Sequence, residues 1–204
     1  MAKKSKRMNN GKTTKTDHFE ITLSSHETFY SIAYRHHCRI NQLVTERNKI
    51  TVNDEKEVDL ICKKNATIQR ESMVVIIFSA LTLEAFINYY GIIHFPCKYF
   101  EKHFDKLNPI SKWVIIPRLV VGQQLDTSEK TYELLTRLFD LRNKLVHSKP
   151  TRKKINELTE EDWVTEKHAF DSMQAVNDSL KALKMLDSTV DIEWLRMAET
   201  DPYI

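Results

Sequence analysis

The chain has 204 residues, a net charge of +3 and 29% charged side chains, which suits one domain with a sizeable core. Three glycines and five prolines are too few for a sheet of tight hairpins and favour helices. Three widely spaced cysteines, Cys38, Cys62 and Cys97, exclude a disulfide framework and predict a reducing, cytoplasmic setting with ordinary buried thiols.

Residues 1–18 read as a basic, disordered tail. Lys3, Lys4, Lys6, Arg7, Lys12 and Lys15 occur with no acid in the first fifteen positions, and no apolar run of a signal peptide is present. Removing those six charges from the net +3 leaves the remainder at −3, so the overall charge says little about partners. A tail of this kind is solvated or touches nucleic acid.

Residues 19–60 read as an N-terminal helical extension and 61–204 as the main helical domain. The first helix is predicted over 25–48, with Ser24 or Ser25 as N-cap and Glu27 in the first turn. Within it, adjacent helical residues diverge by about 100°. His36, His37 and Cys38 therefore do not converge on one metal ion, and no metal site is expected. A second helix is predicted from Asn53 to Ile93, charged in its first half and apolar from Met73 onward. Glu84 and Asn88 interrupt the apolar run, leaving fewer than about 18 residues without a polar break. A central helix buried on most sides is expected, with no membrane partner.

Gly91 to Pro117 reads as a connector with short helical turns at Lys98–Phe104 and Ser111–Ile116, broken by Pro96, Pro109 and Pro117. A fourth helix is predicted over 128–148, capped by Thr127 or Ser128 and stopped by Pro150. Its stripe holds Leu134, Leu135, Leu138, Phe139, Leu141, Leu145 and Val146. Arg142 falls inside that stripe, about 80° from Leu134. A guanidinium among leucines needs a buried partner, a cleft or a subunit interface, because desolvating it unpaired costs several kcal/mol. Glu84 poses the same problem on the apolar helix, so the two are expected to pair. A fifth helix is predicted over 160–188, capped by Thr159 with Asp162 at its third position. Trp163, Phe170, Met173, Val176, Leu180, Leu183 and Met185 are its expected core stripe, and His168 an expected surface residue. Ile192, Trp194 and Leu195 form a closing turn. Trp113, Trp163 and Trp194 read as core or interface anchors, and the Tyr89 and Tyr90 hydroxyls as reaching solvent or a partner.

There is no CxxC pair, no HExxH and no glycine-rich phosphate loop. Two segments carry the chemistry instead: Phe78-Ser79-Ala80-Leu81-Thr82-Leu83-Glu84-Ala85-Phe86-Ile87-Asn88, and Leu138-Phe139-Asp140-Leu141-Arg142-Asn143-Lys144-Leu145-Val146-His147. Together they resemble the HEPN superfamily of all-α domains, the second matching its R-x4-6-H motif with Asn after the Arg. The resemblance covers roughly residues 65–190. It implies an all-α, HEPN-like up-and-down bundle with an extra N-terminal helix, forming a symmetric homodimer. It also implies a metal-independent endoribonuclease without a cofactor, of a toxin or antiphage, abortive-infection kind. In the other branch of the family, the chain would be a non-catalytic module that binds a nucleotide, an antitoxin or a nucleotidyltransferase.

These residue types suit metal-free RNA cleavage. His147 can take the proton of a 2′-hydroxyl, and Arg142 can meet the phosphorane charge with a planar fork of donors. Asn143, at i−4 from His147, can orient the imidazole or hold a phosphate oxygen. Glu84 can hold the guanidinium. Arg142 and His147 lie about 140° apart on an ideal helix, so either the last turn loosens or a partner subunit supplies the missing group. Lys144, Lys149, Arg152, Lys153 and Lys154 follow as candidate RNA-backbone contacts.

Overall fold

The computed structural model describes residues 23–148, 152, 154 and 164–200; the basic tail, Lys149, Lys153, Trp163 and the expected Thr159–Asp162 cap lie outside the described residues. Seven helices follow one another: α1 (His26–Asn48), α2 (Glu55–His94), α3 (Cys97–His103), α4 (Pro109–Val121), α5 (Lys130–Val146), α6 (Glu166–Leu186) and α7 (Trp194–Thr200). No strand occurs among the described residues, so the all-α expectation holds.

α2 is the spine. It starts on a capping box: the Asp54 side chain accepts from the backbone N–H groups of Lys56 and Glu57, while Glu57 reaches back to the Asp54 N–H. It runs unbroken through residues 60 and 61, the expected boundary between extension and domain. By length and composition alone α2 could cross a membrane, and half of its most apolar window is buried inside this fold. α1, α4, α5 and α6 all pack on it. Tyr30, Ala33, Ile40 and Leu43 of α1 share one core with Ile76, Leu83 and Ile87 of α2, Leu135 and Leu138 of α5, and Val176, Leu180 and Leu183 of α6. Burying each such large side chain contributes roughly 1.5–3 kcal/mol.

The connector is more helical than its prolines suggest. Pro109 occupies the first turn of α4, where no N–H is needed, and Asn108 Oδ1 accepts from the Ser111 N–H at 2.7 Å. Pro117 lies inside α4 without ending it; its ring is buried with Trp113 and Ile116, whose packing outweighs one missing backbone bond. The helix stops at Gly122, the one residue with positive φ (77°) among those described. Gly91 is required for a different reason: a Cβ there would collide with the Phe100 ring.

α5 begins later than its sequence suggests. Ser128 does not cap it but donates through its N–H and hydroxyl to Asp126 Oδ1, at 2.8 and 2.7 Å, forming a local turn. Thr127 and Ser128 both precede the actual cap position, Glu129. α6 is capped at Thr165. The expected stripes thin at their ends: Val146 is 55% and Met185 87% exposed. Cys62 and Cys97 are exposed, not buried, since each lies on the outer side of its helix. Trp113 and Trp194 are core residues as expected, with the Trp113 indole donating to the Leu83 carbonyl at 3.2 Å. The closing turn is extended into the short helix α7.

Candidate functional site

The last turns of α5 meet the middle of α2 through charge. Arg142 Nη2 donates to Glu84 Oε2 at 2.5 Å, and Nη1 donates to Asn143 Oδ1 at 2.9 Å. The side chains are 20% and 31% exposed for Arg142 and Glu84, so the pair sits at the edge of the core and is not sealed within it. The guanidinium lies 5.9 Å from the Phe139 ring centre. Its Nε is buried with no hydrogen-bond partner among the described residues. Buried donors are nearly always satisfied, so an orphan N–H on a half-committed guanidinium is a feature to explain.

A third charged group lies nearby, one that the sequence analysis did not single out. Lys112 is only 3% exposed. Its Nζ donates to Asn88 Oδ1 at 2.8 Å, one turn along α2 from Glu84, and lies 5.9 Å from the Phe100 ring centre. Burial pushes its ammonium below the ordinary lysine range, while the Asp105 and Glu84 carboxylates oppose that. A lysine directly before the apolar run Trp113-Val114-Ile115-Ile116 was the available signal. Its phase on α4 places it with buried Trp113 and Ile116, not with exposed Arg118 and Leu119.

His147 stands apart from these groups. It is the exposed C-cap of α5, its N–H donates to the Asn143 carbonyl at 2.9 Å, and its ring has no partner among the described residues. α5 is regular through Val146, so the separation of about 140° from Arg142 is kept. Asn143 turns its side-chain oxygen toward Arg142, not toward the imidazole. Lys144, Arg152 and Lys154 are exposed.

The opposite flank of α5 forms one wall of a groove of about 650 Å³ against the start of α6. Arg137, Asp140, Lys144 and His168 help line it; Arg142, Asn143 and His147 do not. Acids and bases alternate along this wall, and Arg137 is paired with Asp171 at 3.4 Å. His168 is buried, contrary to the surface position expected of it. Its Nδ1 accepts from the Thr165 N–H at 3.1 Å, in the slot a Glu or Gln would fill in a capping box. Burial, then the Arg137 charge, lowers its pKa.

The histidine run on α1 diverges: His36 Nδ1 bonds Glu71 of α2, while the His37 ring packs edge-on to Phe170 of α6. No group of three or more His, Cys, Asp or Glu side chains placed to hold a metal ion occurs among the described residues. The Tyr90 hydroxyl, expected to reach solvent or a partner, donates instead to buried Asp187 at 2.8 Å. No family model matches this chain, nor does any curated protein or solved structure.

Proposed function

We propose that this chain is a metal-independent endoribonuclease of the HEPN type, acting as a symmetric homodimer with a HEPN-like bundle. The observation that carries the reading is the Glu84–Arg142–Asn143 cluster: a guanidinium fixed at two N–H groups, one-fifth exposed, with a third N–H unspent. Fixed, partly dry donors are what a developing phosphorane charge requires. Glu84 sets the guanidinium, Asn143 steadies it, and Lys144, Lys149, Arg152, Lys153 and Lys154 track the RNA backbone.

His147 supplies the proton chemistry. Because it and Arg142 leave α5 in directions about 140° apart, one protomer's Arg142 works with the partner's His147, and a two-fold axis gathers both arginines and both imidazoles in one cleft. The imidazole takes the 2′-hydroxyl proton, the 2′-oxygen forms a bond to phosphorus, and the bond to the 5′-oxygen breaks. The leaving oxygen receives a proton from the second imidazole. The products are a 2′,3′-cyclic phosphate and a 5′-hydroxyl. A host-directed toxin or abortive-infection effector in the cytoplasm is the biological use that suits such an enzyme.

The test is RNA cleavage by wild type, Arg142→Ala and His147→Ala with EDTA present. Cleavage that survives chelation and falls by about 10²–10⁴ in each variant is expected; equal rates in all three would remove the site. A second reading is favoured by one observation, that the groove between α5 and α6 is not lined by Arg142, Asn143 or His147. In it the ion pair is structural, and the chain is a binding module for an antitoxin or a nucleotidyltransferase. Wild type without cleavage, and co-purification with such a protein, would select it.

A further inference from the structure

The start of α1 carries a second polar cluster, far from Arg142 in the chain. Ser25 holds the cap position but its side chain makes no capping bond. The Ser24 hydroxyl lies 2.7 Å from His26 Nδ1. The imidazole is only 6% exposed, with Phe86 and Tyr89 of α2 and Trp194 of α7 around it at ring-centre distances between 5.0 and 5.3 Å. Its other nitrogen, Nε2, lies 4.0 Å from Glu27 Oε1, an electrostatic contact and not a hydrogen bond. Packing among three aromatic rings asks only for a phenylalanine here. A hydroxyl on one nitrogen and a carboxylate facing the other are what packing does not require.

All three side chains line one cavity of about 340 Å³. Ser24 and Glu27 are exposed while His26 is buried, so the hydroxyl is reachable and the imidazole beside it is dry. Phe86, Tyr89, Ile93, Val190 and Trp194 supply apolar wall. The other titratable groups on it are Tyr89, Tyr90 and His94 of α2 and Asp191 ahead of α7, and no lysine or arginine lines it among the described residues. Two carboxylates without a cationic side chain disfavour a phosphate, and an apolar wall suits an uncharged organic body. Burial holds the imidazole below the usual histidine range, with Glu27 opposing, so at pH 7 it is neutral and able to accept a proton.

We propose that Ser24, His26 and Glu27 form a nucleophile, base and orienting acid that hydrolyse small uncharged carboxylic esters, an activity separate from the Arg142 site and independent of it. The Ser24 Oγ forms a bond to the ester carbonyl carbon as its proton passes to His26 Nδ1. The imidazolium gives that proton to the leaving alcohol oxygen as the C–O bond breaks, leaving an acyl-serine. A water molecule, deprotonated by the same nitrogen, then releases the acid and restores the hydroxyl. Glu27 touches no substrate; it is a positioning residue that favours the ring proton on Nε2 and the imidazolium as it forms. Ser25 caps none of the first-turn N–H groups of α1, which leaves backbone donors within four residues of the nucleophile for the carbonyl oxygen.

The test compares wild type with Ser24→Ala, His26→Phe, Glu27→Gln and Ser25→Ala. Each is treated with an alkyl fluorophosphonate, the label is mapped by mass spectrometry, and p-nitrophenyl acetate hydrolysis is followed from pH 5 to 8 with thermal melting alongside. The label is expected on Ser24 and not on Ser25. Hydrolysis is expected to fall by about 10²–10⁴ in Ser24→Ala and His26→Phe and to stay at the wild-type rate in Ser25→Ala. The wild-type rate should hold through pH 7 and fall only below 6.5, as His26 gains its proton. Glu27→Gln should lower the rate roughly tenfold and move that acid limb to lower pH, a shift that a purely structural carboxylate would not produce. An unlabelled Ser24 in wild type, or unchanged hydrolysis in Ser24→Ala, would overturn the proposal. So would a folded His26→Phe that is labelled as fast as wild type, or an acid limb that Glu27→Gln leaves in place. If His26→Phe fails to fold, the pH profile of wild-type labelling decides: a rate without an acid limb refutes the base.

Discussion

Two polar clusters stand on the apolar half of α2, a turn and a half apart in sequence, at Glu84 and Tyr90. At Tyr90 the bonding is complete. The hydroxyl donates to Asp187 Oδ2 at 2.8 Å, and the Thr189 N–H and hydroxyl donate to Oδ1 at 3.0 and 2.6 Å. Burial opposes the Asp187 charge, but these bonds and nearby His94 outweigh it and hold the carboxyl below the ordinary range. At Glu84 the bonding is thinner: the carboxylate takes one N–H of Arg142, and the buried guanidinium Nε has no hydrogen-bond partner among the described residues. A cluster that spends all its donors and acceptors fastens the end of α6 to α2. One that holds some back can still bind something else.

Four experiments would break or sharpen that contrast. The largest effect is expected for Arg142→Ala on RNA cleavage, a loss of about 10²–10³ with a melting temperature close to wild type. A variant that unfolds instead would place this cluster in the scaffold beside the other. Next comes Asp187→Ala. It leaves the buried Tyr90 hydroxyl without its acceptor and is expected to cost about 1–3 kcal/mol, measured by urea unfolding, while the cleavage rate of the folded fraction stays unchanged. Glu84→Gln is expected to be milder in stability, about 1 kcal/mol, because the pair is partly hydrated. Its effect on turnover should exceed its effect on folding, and a pure stability loss would end the holding role given to Glu84.

The smallest effect concerns acid. His26, His37 and His168 all have pKa values lowered from 6.5 by burial. Their protonated forms are favoured in the unfolded chain, so stability is complete above pH 6.5 and declines as pH falls below it. The fall continues at lower pH, where Asp187 loses its contribution as pH drops through its depressed pKa. Urea midpoints measured from pH 8 to 5 check the histidine part; a flat profile would contradict it.

Much of this was legible in residue order. α1 starts just after the expected Ser25, although that side chain makes no capping bond, and α2 follows its apolar run, while its Asp54 capping box was not foreseen. The meeting of Glu84 with Arg142 follows from two charges on two apolar stripes, each needing the other. What escaped had local reasons. α4 runs through Pro117 because tertiary packing overrides a proline's local preference. Lys112 escaped because a single lysine in a short, proline-flanked segment has no clear phase until the helix is known. His168 escaped because its role depends on a cap at Thr165, six residues after the one expected. The pairing of Arg142 with a partner's His147, as proposed above, would belong to an assembly of two chains, which periodicity in one chain does not encode.

α2 has a consequence of its own. It is forty residues long, about 60 Å, yet its first buried residue is Ile68. From Glu55 to Lys64 it is half-exposed or exposed throughout, fastened by the capping box, by Lys63–Asp59 within the helix and by Lys64–Glu46 to α1. These turns form a hairpin tip that is expected to fray open while the bundle behind it stays closed. Amide hydrogens there should exchange with solvent far sooner than those between Val75 and Tyr90, in a gradient along one continuous helix.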